Sequence, residues 1–69
     1  MKTMYIGRDG CGNITIKAYD NDNHRFYGSK WNGGIHFMWY SRRDAEKEFR
    51  RMFGLQGKHF EHIDVGYMH

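Results

Sequence analysis

From Thr3 to Arg8 (TMYIGR) apolar and polar positions alternate, with Met4 and Ile6 on one side and Tyr5 on the other. A period of two over β-forming residues predicts a strand. Ile14 to Tyr19 (ITIKAY) repeats the pattern, with Ile14, Ile16 and Ala18 in phase. Between them DGCGN supplies glycines suited to positive φ, so the two strands are expected to pair as a hairpin. A polar turn, DNDN from Asp20 to Asn23, leads into a short third strand from His24 to Gly28 (HRFYG). SKWNGG, from Ser29 to Gly34, carries an Asn-Gly turn signal, and Ile35 to Tyr40 (IHFMWY) predicts a fourth strand.

The period then changes. Ala45, Phe49, Met52 and Phe53 fall at i, i+4, i+7 and i+8, one apolar stripe of a helix. Ser41 fits the N-cap, with Asp44 three residues later in the place of a capping-box acid. Gly54 fits the left-handed position that ends a helix, and Leu55 is placed to close a Schellman contact. Beyond GLQGK, alternation of Ile63, Val65 and Tyr67 predicts a fifth strand. The order β-β-β-β-α-β predicts a single α+β domain over residues 1–69, an antiparallel sheet of about five strands with one helix packed on one face.

Strand phase assigns the faces. Met4, Ile6, Ile14, Ile16, Ala18, Phe26, Ile35, Phe37, Trp39, Ile63 and Val65 are expected beneath the helix. Tyr5, Thr15, Lys17, Tyr19, Arg25, Tyr27, His36, Met38 and Tyr40 are expected on the opposite face. One helix cannot cover both faces. An open face with Tyr5, Lys17, Tyr19, Arg25, Tyr27 and Tyr40 is a candidate surface for docking a protein or for stacking bases. It equally fits tyrosine's ordinary preference for half-exposed strand positions. On the helix, Arg43, Lys47, Arg50 and Arg51 lie opposite the apolar stripe, flanked by Asp44 and Glu48 on one edge and Glu46 on the other. Such a basic side is either a solvated face or a salt-sensitive contact for phosphates or an acidic protein.

Composition narrows the function classes. At 69 residues the chain is near the lower limit for folding without disulfides or metals, with a core worth about 3–5 kcal/mol. That leaves little room for a catalytic cleft, and the expectation is a non-enzymatic protein without a cofactor. No segment reaches the ~18 apolar residues of a membrane span, and MKTMYIGRDG lacks the apolar run of a signal peptide. Cys11, the single cysteine, cannot form an internal disulfide, which points to a cytoplasmic location. The net charge of +3 permits an acidic partner and argues against a nucleic-acid mimic.

Specific chemistry is sparse. His59 and His62 form H-x-x-H, but on a strand that spacing sends the two rings to opposite faces, and Cys11, His24 and His36 do not complete a four-ligand pattern. DNDNHRFYGSKW opens like a calcium loop, yet Arg25 stands where glycine is required and Trp31 where glutamate is. GRDGCG is followed by no helix and cannot cradle a phosphate. Cys11 has no base beside it in sequence, which favours an exposed hairpin thiol over a nucleophile.

The segment HFMWYSRRDAEKEFRRMFGLQGKHFEHIDV carries Tyr40, Ser41, Asp44, Ala45 and Phe49 in a Tyr-Ser-x-x-Asp-Ala-x-x-x-Phe arrangement ahead of a last strand. It resembles small orphan proteins of phages, plasmids and conjugative elements, and in size and layout the chain is similar to anti-CRISPR proteins. The matching residues cap and pack a helix, so no functional residue follows from them. The resemblance implies a non-enzymatic inhibitor that occludes an effector of a host defence complex through a protein surface. The alternative is a basic nucleic-acid-binding module that uses the same tyrosine face and helix cations.

Overall fold

The structure is a computed structural model that describes residues 1–28 and 34–67. Its elements run β1 (Lys2–Arg8), β2 (Ile14–Asp20), β3 (Arg25–Tyr27), β4 (Ile35–Phe37), α1 (Arg42–Phe53) and β5 (Glu61–Tyr67). The α+β architecture is the one expected. β1 and β2 form an antiparallel hairpin whose turn is held by Asp9: its Oδ1 accepts from the backbone N–H of Cys11 at 2.9 Å and of Asn13 at 3.0 Å. The sheet runs β3-β2-β1-β5, and β4 pairs with β2 as well. β3 takes the Ala18–Asp20 end of β2 and β4 the Ile14–Ile16 end.

The sheet is mixed rather than wholly antiparallel, because β5 runs parallel to β1. The physical reason is the helix: α1 carries the chain back over the sheet, so the strand after it starts from the same end as β1. No helix is long and apolar enough to cross a membrane among the described residues.

The helix forms where its caps and stripe predict. Ser41 Oγ accepts from the Asp44 N–H at 3.2 Å, and Gly54 sits at φ 67, ψ 36. The Leu55 N–H donates to Arg50 O at 2.8 Å, the long Schellman bond, which seats Leu55 in the core. Ala45 and Phe49 are fully buried. They pack on Met4, Ile6, Ile14, Ile16 and Ala18 of the hairpin, joined by Phe37, Leu55 and Phe60. Two glycines allow this close packing. A Cβ on Gly28, at φ +75, would stand 2.5 Å from Phe49 Cε2, and one on Gly34 would stand 2.3 Å from Ile16 O.

Several side chains depart from the expected faces. Phe26 pairs with Tyr19 and Tyr27 with Ala18, so Tyr27 lies on the helix side and Phe26 on the open side, the reverse of the strand-phase reading. A three-residue strand entered through His24 at φ 52 takes its phase from pairing with β2, not from its own short pattern. β4 ends at Phe37, and Trp39, at φ 67, is 96% exposed instead of buried. Met52, counted in the apolar stripe, is 47% exposed at its edge. In β5, Ile63 aligns with Tyr5 while His62 and Asp64 align with Met4 and Ile6, so Ile63 and Val65 face away from the helix. The helix packs over β2 and leaves β5 uncovered, and charged partners on α1 take the place of a core there. The Asn-Gly turn signal at Asn32 lies outside the described residues.

Candidate functional site

The open face is built row by row from the ladder. One row reads Phe26, Tyr19, Thr3 and Glu61 from β3 to β5. The next reads Lys17, Tyr5 and Ile63, and a third reads His36, Thr15 and Gly7. Val65 leans over Gly7: a Cβ there would stand 2.9 Å from Val65 Cγ2, so the missing side chain makes room for the valine methyl. The result is an aromatic and aliphatic surface. Tyr19 and Phe26 rings lie 4.5 Å apart, and Lys17 Nζ sits 6.0 Å from the centre of the Tyr5 ring. Phe26 is 54% exposed, Ile63 and Val65 39% each, and Tyr5, Lys17 and Tyr19 are half-buried.

A polar cluster closes one end of this face. His36 Nδ1 donates to Asp9 Oδ2 at 2.8 Å, and Thr15 Oγ1 lies 3.3 Å from the same nitrogen. The His36 hydrogen bond, reinforced by the backbone N–H groups of Asn13 and Cys11, holds the Asp9 carboxyl below its ordinary range. Thr15 is fully buried under this cluster. The contacts tie the hairpin turn to β4.

The other expected aromatics and cations do not join the face. Tyr27 packs 6.0 Å from Phe53 of the helix, and Arg25 stacks on it at 5.2 Å. Tyr40 lies beyond β4, its ring edge-on to Phe37 at 5.4 Å. Sequence reasoning placed Tyr27 and Tyr40 on the open face because tyrosine alternates there; Tyr27 instead packs against the helix-side core, and Tyr40 is 43% exposed beyond the end of β4.

The helix cations divide into two groups. Arg50 is structural: Nε donates to Glu46 at 3.0 Å, one terminal nitrogen donates to Leu55 O at 3.1 Å and Lys58 O at 2.7 Å, and the guanidinium lies 5.2 Å over Phe60. Arg51 pairs with Glu48, which lowers the Glu48 carboxyl. Arg43 and Lys47 hold no ion pair among the described residues and, with Arg42, Glu46 and Arg50, line a shallow groove of about 540 Å³.

Arg42, not singled out from sequence, donates to Asp64 Oδ2 at 3.0 Å, and His62 Nε2 lies 2.9 Å from Glu46 Oε2. Partial burial raises the Glu46 carboxyl, but the hydrogen bonds from His62 and Arg50 outweigh it and hold the group below its usual range. The sequence signal for this seam is the i, i+4, i+8 line of Arg42, Glu46 and Arg50, which runs along the β5 side of the helix. Cys11 is exposed in the hairpin turn, and no cluster of three or more His, Cys, Asp or Glu suited to a metal occurs among the described residues.

Comparison with protein-family models, curated proteins and solved structures finds no match to this chain.

Proposed function

We propose that this protein is a non-enzymatic binding protein that docks through its open sheet face onto an apolar patch of a partner protein and acts by covering it. The observation that carries the reading is the cluster of Phe26, Ile63 and Val65, all exposed on one uncovered face, with Phe26 in register with Tyr19, Ile63 with Tyr5, and Val65 over Gly7. Fully burying one such side chain is worth about 1.5–3 kcal/mol. Aromatic anchors ringed by smaller contacts are the usual energetic centre of a protein interface.

A protein fits this surface better than a nucleic acid does. Base stacking wants flat aromatic platforms along a cationic track. Within the rows of this face Lys17 is the one cation, Glu61 adds an opposing charge, and Ile63 and Val65 offer no π face. Of the helix cations, Arg43 and Lys47 hold no ion pair among the described residues, and they lie on the other side of the sheet. Two such contacts give a logarithmic salt slope of only about −2. Occlusion of an effector in a host defence complex is one form this activity takes, in keeping with the resemblance to small mobile-element inhibitors.

The test compares Phe26→Asp, on the face, with Arg43→Glu/Lys47→Glu, on the helix. A protein captured from source-cell lysate by the parent chain is purified and its affinity measured for both variants. Phe26→Asp is expected to abolish binding, while the helix double variant and a rise in salt leave it nearly unchanged. A labelled single-stranded oligonucleotide serves as the competing probe. Salt-sensitive oligonucleotide binding that is lost with the helix double variant overturns the reading in favour of a nucleic-acid module.

A further inference from the structure

β5 pairs with β1 along one edge, and among the described residues no strand occupies its other edge. All of its residues are exposed. Such an edge presents unpaired backbone groups to any extended chain, and proteins blunt edges of this kind with charges or bulges. β5 has both. Its register with β1 slips between Ile6 and Gly7, which leaves Val65 without a partner, and Gly66 stands at φ 70. The bulge is confined to the far end, however, and the stretch from Glu61 to Asp64 stays in regular register.

The charges on that regular stretch are selective rather than simply repulsive. His62 and Asp64 lie on the helix side, and Ile63 lies on the open side. A second copy pairing antiparallel must bring like faces together, which a twofold axis achieves only when it passes through a residue. An axis at Asp64 sets two carboxylates opposite each other. An axis at His62 sets two imidazoles opposite each other and leaves both Asp64 carboxylates without a basic residue across from them. An axis at Ile63 sets Ile63 against its counterpart and His62 against Asp64 twice. Two carboxylates directly across a strand pair oppose it, whereas an imidazole N–H can donate a hydrogen bond to the carboxylate facing it.

The neighbouring ion pairs fit the same register. Glu46–His62 at 2.9 Å and Arg42–Asp64 at 3.0 Å would merge across the axis into an alternating row: Glu46, His62, Asp64 of the second copy, Arg42 of the second copy. On the other side, the two open faces would become continuous through the paired Ile63 side chains.

We propose that β5 pairs antiparallel with β5 of a second copy of this chain, with the twofold axis at Ile63, to form one continuous sheet. The interface uses the edge of the sheet and not its face, so it stands apart from the docking reading: Phe26→Asp removes docking and leaves the dimer.

Two measurements on the full chain test it. Sedimentation equilibrium is expected to show a concentration-dependent rise from 8.3 kDa toward twice that mass. In a Cys11→Ser background, Ile63→Cys is expected to oxidise to a covalent dimer about tenfold faster than Val65→Cys. Directly opposed residues lie about 4.5–5.5 Å apart, within disulfide reach, while Val65 lies away from the axis. A chain that stays monomeric at its highest soluble concentration overturns the proposal. So does a dimer in which the two cysteine variants cross-link at equal rates, since its contact then lies elsewhere.

Discussion

Arg50 shows how a cation on the polar side of a helix can belong to the fold. Its guanidinium joins Glu46, two carbonyls of the connection after α1 and the face of Phe60. Arg50→Ala leaves those acceptors without their donor and is expected to cost about 1.5–3 kcal/mol, the range for hydrogen bonds to charged groups. Arg43→Ala, at an exposed position on the same helix, is expected to change stability by about 0.5 kcal/mol or less. Urea denaturation of both variants checks the contrast, and equal effects would contradict the structural role of Arg50. At this scale the sequence was only partly legible. Helical spacing places Arg43, Lys47, Arg50 and Arg51 together, but the donors that Leu55 O and Lys58 O require depend on the path of the chain after Gly54, which spacing does not encode. Trp39 misled for a related reason: alternation continues through IHFMWY, while the backbone leaves the strand at Phe37 and turns into a left-handed residue.

Among the elements, α1 was the most legible, because three independent signals agree: an N-cap at Ser41, the stripe through Ala45 and Phe49, and Gly54 at the end. The structure narrows the stripe to the side chains that reach the hairpin. Phe49→Ala is expected to cost about 3–5 kcal/mol, against under ~1 kcal/mol for Met52→Ala, as a buried aromatic leaves a cavity and an edge methionine does not. A Phe49→Ala protein with the parent's melting temperature would sink this account of the core. β5 was legible as a strand but not in its phase. Alternation identifies Ile63 and Val65 as one side, while the bulge at Val65 aligns Tyr67 with Arg8 and so moves it to the other; which side meets the helix depends on where α1 lies across the sheet. Here α1 packs on β2, so the β5 residues on the helix side are His62 and Asp64, satisfied by Glu46 and Arg42. The open face therefore gains two aliphatic residues that sequence reasoning had assigned to the core. β3 exchanges Tyr27 for Phe26 by the same dependence on pairing.

Over the whole molecule, carboxylates do much of the joining that a larger core would do. Asp9 links the hairpin turn to His36 of β4. Asp20, almost fully buried, accepts from the Asn23 side chain and from the backbone of Asp22 and Asn23, with Lys2 nearby. Glu46 and Asp64 fasten the helix to β5, and Glu48 holds Arg51. All five are held below their ordinary range: Asp9 chiefly by His36, Asp20 by Asn23, Glu46 by His62 and Arg50 against the opposing effect of burial, Glu48 by Arg51, and Asp64 by the Gly66 N–H and Arg42. The direction fixes the pH dependence. A carboxyl lowered in the fold binds its proton more readily in the unfolded chain, so its contribution is complete above the unfolded value of about 4 and is lost as pH falls through the folded one. The melting temperature is therefore expected to fall as pH drops below about 4 and to do so cooperatively, since Asp9, Glu46 and Asp64 each join separate elements of the fold. Asp9→Asn and Asp64→Asn should each lower the melting temperature at neutral pH and flatten the acid limb, because the group that would have bound the proton is gone. Thermal melts across the acid range, for the parent and both variants, measure this directly. A parent chain whose melting temperature holds constant to about pH 3, or variants whose acid limbs match the parent's, would show that these ion pairs do not hold the layers together.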